Sequence, residues 1–176
     1  MRLRDEFRPE INFRMVARER GKIVPGSIRE GHNVATVTGR EYYAQIGTYS
    51  DYVAKTPVRT DRIFYMGVGD GAQPEVASVD QLASAVEWDI GKYLKPISSA
   101  EFPNDPATSV VYLCEFLETD ISIGAGGTQE IREAGLFTEI SDDAATDNAP
   151  LAYKNFEPLV KTTQFRLEVR WEIRFR

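Results

Sequence analysis

Two carboxylates, Glu130 and Glu133, flank Arg132 in the phrase QEIREAGLF. Paired carboxylates do acid–base work in glycosidases, one as general acid and the other as base or nucleophile. Nothing else in the sequence builds a sugar site around this pair, so the expected role is structural: one glutamate pairs with a cross-strand arginine or accepts from backbone donors. Gly67-Val68-Gly69-Asp70-Gly71 follows the strand-like IFYM run, as a dinucleotide-binding loop would. That fingerprint needs a third glycine at its sixth position and a helix opening at once. Here the sixth position is Ala72, Gln73-Pro74-Glu75 follows, and the nearest helix cap is Ser78. The expectation is a glycine turn leaving a strand. Asp142, Asp143 and Asp147 cluster in SDDAATDNA, but without the alternating ligand positions and distant Glu of a calcium loop. They read as a surface loop, and no metal site is expected. The lone His32, in EGHNV, reads as structural. Cys114, in VVYLCEFL, reads as a small buried hydrophobe whose thiol burial would silence. Trp88, Tyr93 and Tyr112 would stack on a sugar if exposed and belong to the core otherwise. No catalytic residue and no cofactor is assigned.

The elements that must position these residues are mainly strands. Ile11, Phe13, Met15 and Ala17 alternate with Asn12, Arg14, Val16 and Arg18. Ser109–Leu117 is rich in β-branched and aromatic residues, fit for a strand buried on both faces. From Gln164 to Phe175 the alternation is unbroken: Phe165, Leu167, Val169, Trp171, Ile173 and Phe175 on one face, charged and polar residues on the other. Weaker strands are predicted at Ile63–Val68, Lys92–Ile97, Ile121–Ile123, Glu130–Ile140 and Pro158–Lys161. Two short helices are predicted, one from a Thr38/Glu41 capping box through Tyr42, Tyr43, Ile46 and Tyr49, and one from Ser78/Gln81 through Leu82, Ala85 and Val86. This order favours a β-sandwich or jelly roll with two short helices in the connections. Residues 1–9 read as an extended arm ahead of a single β-rich domain spanning 10–176.

The chain has 176 residues, 21 basic and 27 acidic, for a net charge of −6. Ordinary hydrophobic (42%) and charged (27%) fractions argue against a disordered or fibrous chain. No apolar run reaches the roughly 18 residues of a membrane helix, and the first ten residues lack the apolar stretch of a secretory signal. One cysteine permits no internal disulfide. Charge is segregated. Residues 1–40 carry nine basic and five acidic residues, residues 101–150 one basic and eleven acidic, and the last sixteen residues are basic again. This is either solvated surface or a self-complementary assembly, in which a basic arm reaches an acidic face of a neighbour. The acidic segment disfavours nucleic acid, which would be repelled.

Several phrases resemble a family of tailed-bacteriophage virion structural proteins: REGHNVATVTGREYYAQ (29–45), DRIFYMGVGDGAQ (61–73), IREAGLF (131–137) and LAYKNFEPLVKTTQFRLEVRWEIRF (151–175). The matching residues are Gly67, Gly69 and Gly71, then Glu133-Ala134-Gly135-Leu136, then Pro158, Lys161 and Thr162. The resemblance implies a non-enzymatic particle component assembled in the host cytoplasm. Its partners would be other virion proteins and further copies of itself, with no membrane and no specific nucleic acid. It leaves open a capsid decoration (cement) protein, a neck or collar component, and a tail or baseplate protein. The chain lacks the fibrous extension of a full-length tail fibre, and its basic arm and acidic middle favour the cement role. Expected contact residues are Arg2, Arg4, Phe7 and Arg8 in the arm and Asp142, Asp143 and Asp147 in the acidic loop. A carbohydrate- or receptor-binding module using the three aromatic platforms, and a small hydrolase using Glu130 or Glu133, are the readings from other classes.

Overall fold

The computed structural model describes residues 9–46, 49–51, 53–103, 108–121, 123, 127–138 and 149–174. Thirteen strands and one helix are present among them: β1 (Glu10–Glu19), β2 (Lys22–Ile23), β3 (Arg29–His32), β4 (Val34–Ala35), α1 (Val37–Gln45), β5 (Tyr49–Asp51), β6 (Thr56–Pro57), β7 (Ile63–Gly69), β8 (Leu94–Pro96), β9 (Ser99–Glu101), β10 (Ser109–Phe116), β11 (Gln129–Thr138), β12 (Ala152–Lys161) and β13 (Arg166–Arg174). The fold is mainly β, as the alternation predicts.

The strands form two larger antiparallel sheets. The first runs β2-β1-β13-β10-β9, with β3 also on β1; the second runs β4-β12-β11-β7-β8. Two segments change sheet between neighbouring residues. The Asn33 amide donates to Ile11 O on β1, while Val34 pairs with Tyr153 on β12. The Ile97 amide donates to Phe64 O on β7, and the next amide, Ser98, donates to Leu113 O on β10. Following hydrogen-bonded neighbours from β1 therefore leads through both sheets and back to β1. β5 and β6 form a separate hairpin.

One apolar cluster draws on both sheets, including Phe13, Met15, Val169, Trp171 and Ile173 from the first and Met66, Val68, Ile131 and Leu136 from the second. Phe13 and Trp171 face each other across the β1/β13 register, their rings edge-on at 4.9 Å, and Phe156 stacks on Phe13 at 5.4 Å. Burying such a side chain contributes about 1.5–3 kcal/mol. The alternating partners of β13 stay on the opposite face, where Arg18 bonds Glu168 at 2.7 Å.

Some expected elements differ. The first helix begins two residues earlier than its capping box implies: Thr36, not Thr38, is the N-cap and accepts from the Gly39 amide at 3.0 Å. A Cβ at Gly39 would collide with Leu151 O, so this turn seats directly on the neighbouring backbone. The helix predicted after Ser78 does not form. Its amides are committed elsewhere, Ala83 and Ser84 to a side chain of β11 and Val86 to Val68 O. Those tertiary partners outweigh a local capping signal. Ile121 and Ile123 are not in a strand; Ile121 has φ +71°, disfavoured for a β-branched residue, and is buried with its amide on Trp88 O. The remaining predicted strands are present with shifted ends.

Candidate functional site

The residues singled out for chemistry converge on one side chain. On β11, Glu133 is fully buried. Its Oε2 accepts from the Ala83 amide at 3.1 Å and from the Tyr153 hydroxyl at 2.9 Å, and its Oε1 accepts from the Ser84 amide at 2.9 Å. The carboxylate thus ties the segment between β7 and β8 onto the second sheet. Neighbouring bonds secure the same segment. Asn155 donates to Gln73 O at 2.7 Å, Lys154 meets Glu75 at 2.8 Å, and Asp70 donates its amide to Ser84 O at 2.9 Å. Beneath it Val79 and Leu82 pack with Leu94, Phe137 and Tyr153 in a second apolar cluster.

This clamp accounts for the glycine run. In the register, Gly69 stands opposite Glu133 and Gly67 opposite Gly135. A Cβ on Gly69 would strike Glu133 Oε1 and come within 2.5 Å of Ser84 O; on Gly71 it would come within 2.5 Å of the Ala83 Cβ. The glycines let a second backbone lie directly on the strand. The expectation that one glutamate satisfies backbone donors holds, and Glu133 is that residue. Glu130 is exposed and bonds Arg132 at 2.6 Å. Burial raises the Tyr153 hydroxyl pKa, and the adjacent Glu133 carboxylate adds to the effect.

Lys161, from the P-x-x-K-T phrase, is fully buried at the end of β12. Its Nζ donates to Thr162 O at 2.7 Å and Glu118 O at 3.2 Å and lies 5.7 Å from the centre of the Phe165 ring. Desolvation lowers its pKa.

The other candidates lie apart from this cluster. His32 sits on β3 with its imidazole exposed, 3.9 Å from Glu10. Trp88 and Tyr112 pack against the main core, and Lys95 Nζ lies 4.7 Å from the centre of the Trp88 ring. The Tyr93 hydroxyl bonds Glu87 at 3.0 Å. Among the described residues no group of three His, Cys, Asp or Glu side chains is placed to hold a metal ion. Arg2, Arg4, Phe7, Arg8, Asp142, Asp143 and Asp147 lie outside the described residues.

Cys114 is fully buried, and burial pushes its thiol up to about 12 from 9.0; Tyr112 is likewise pushed up to about 12 from 10.0. Both groups keep protons in the folded state that the unfolded chain releases. Their contribution to stability is complete below about pH 9 and is lost as pH rises towards 12. Urea unfolding between pH 8 and 11 should show that decline, at most about 1.4 kcal/mol per pH unit for each group. At pH 8 a thiol reagent should label Cys114 only after denaturation. Rapid labelling of the folded protein would contradict this placement.

Sequence reasoning missed Tyr153, Asn155 and the amides of Ala83 and Ser84. The available signal was the spacing of Gly67, Gly69 and Gly71: glycines on one face of a strand mark the close approach of another chain segment. Comparison with family models, curated proteins and solved structures finds no match to this chain.

Proposed function

We propose that this protein is a non-enzymatic structural component of a tailed-phage particle, and within that class a capsid decoration protein that ties neighbouring subunits together. The observation carrying the reading is the convergence of three resembling phrases on one clamp: the glycines of 67–71, Glu133 of the E-A-G-L phrase and Tyr153 of the closing phrase. The phrases that carry the likeness therefore do scaffold work. Both oxygens of Glu133 are engaged by internal donors, which favours an architectural over an acid–base role. Two antiparallel sheets sharing one core support the β-sandwich form of the fold.

The mechanism is charge complementarity and apolar burial at contacts repeated over a lattice, where many weak interfaces add avidity. The basic arm reaches a neighbour's acidic surface through Arg2, Arg4, Phe7 and Arg8, and the acidic loop through Asp142, Asp143 and Asp147 receives an arm in turn. Neck or collar and tail-baseplate positions use the same contacts with different partners. A chain lacking residues 1–9 should lose incorporation into particles by about tenfold or more, measured by quantitative mass spectrometry of purified particles. Unchanged incorporation overturns the proposal.

A further inference from the structure

The outer face of the first sheet carries a charge ladder. Across β1, β13 and β10, Arg18 pairs with Glu168, Arg174 with Glu172 and Arg166 with Glu115. Arg18 stands opposite Arg166 in the register, but each of these has a carboxylate partner. Arg14 stands directly opposite Arg170 in the strand register, an arrangement that repels. Arg14 has only a long contact to Glu30, at 3.7 Å, and Arg170 is exposed with no ion-pair partner among the described residues. The pair sits in a shallow, open groove of about 470 Å³ along the adjacent strands β3, β1 and β13. That volume suits a small ligand. Asn12, Glu30, His32 and Glu172 share the lining.

We propose that this groove binds an acidic sugar, its carboxylate held between Arg14 and Arg170 and its hydroxyls by Glu30 and Glu172. A single anion between two facing guanidiniums relieves their repulsion and gains charge-assisted hydrogen bonds. The flanking carboxylates would repel a bare anion, whereas sugar hydroxyls donate to them. A carboxylate has lone pairs beyond those used by one arginine, so Glu172 can accept from a ligand while bonded to Arg174. This site is independent of the assembly reading and of the three aromatic platforms.

The test is a titration of the isotope-labelled full chain, following amide resonances, with Gly31 in the groove as reporter. Glucuronate should shift Gly31 and its neighbours with a Kd of about 1 mM. Acetate should bind at least about tenfold more weakly and glucose should not bind. Arg170→Gln should weaken glucuronate about tenfold or more without lowering the unfolding midpoint, because the side chain is exposed and its loss relieves the repulsion from Arg14. Absence of shifts, equal binding of acetate, or an unaffected Arg170→Gln variant overturns the proposal. So does tighter binding of a synthetic peptide of residues 141–149, which would make the groove a seat for an acidic protein segment.

Discussion

Replacing Glu133 with alanine is expected to destabilise the protein by about 2–4 kcal/mol, because several donors lose a charged acceptor and each such bond is worth about 1.5–3 kcal/mol. The substitution leaves the Ala83 and Ser84 amides without their acceptor and the Tyr153 hydroxyl with only the long bond to Gln73 O, at 3.5 Å. An unsatisfied buried polar group costs about 1–3 kcal/mol, with relaxation keeping the total below three full penalties. It also opens a void next to Gly69 and Gly71, whose surroundings are built around the carboxylate. For a chain of this length the melting temperature should fall by about 10 °C. Glu133→Gln retains one acceptor oxygen and should lose less. Urea unfolding decides the matter, and a loss below about 1 kcal/mol for the alanine variant would contradict the clamp.

Gly69→Ala should cost about 2–3 kcal/mol, from the opposite cause. The new methyl meets Glu133 Oε1 and comes within 2.5 Å of Ser84 O and 2.9 Å of Glu133 Cγ. One of those neighbours is backbone that another strand holds in place, so overpacking is relieved only by lifting the covering segment. The two substitutions must therefore couple. In a Glu133→Ala background two of these contacts are gone and the segment carrying Ser84 is no longer tied down by the carboxylate, so Gly69→Ala should cost at least about 1 kcal/mol less than it does alone. Additive costs would mean that the strand and the carboxylate do not share the space described.

The long strands were legible because burial on one face imposes a period of two. β13 reads directly from Phe165 to Ile173, and β1 from Ile11 to Ala17, each with core on one side. β2, β4, β6 and β9 were not legible as such, since two or three residues display no period. They are defined by the neighbours to which they hydrogen-bond. The Ser78/Gln81 capping box misled because the competing acceptor, Glu133, stands some fifty residues away in sequence. The same long separation hid the clamp. Gly69 and Glu133 are neighbours only in the strand register, and either phrase alone suggested different chemistry: a phosphate loop in one case, a catalytic carboxylate in the other. The Arg14/Arg170 confrontation was hidden likewise, because the regular alternation within β13 says nothing about which residue of β1 lies opposite.

The place of β13 in the first sheet has a consequence for biosynthesis. This strand lies between β1 and β10 and follows both of them in sequence. Until β13 has been synthesised, the apolar faces of those two partners have no strand to join them, and the β1 pairing joins residues as remote as Glu10 and Arg174. Pairings this remote in sequence form slowly. The first sheet is therefore completed only after β13 itself has emerged from the ribosome. Truncation within this nine-residue strand should yield insoluble material rather than a shortened native protein.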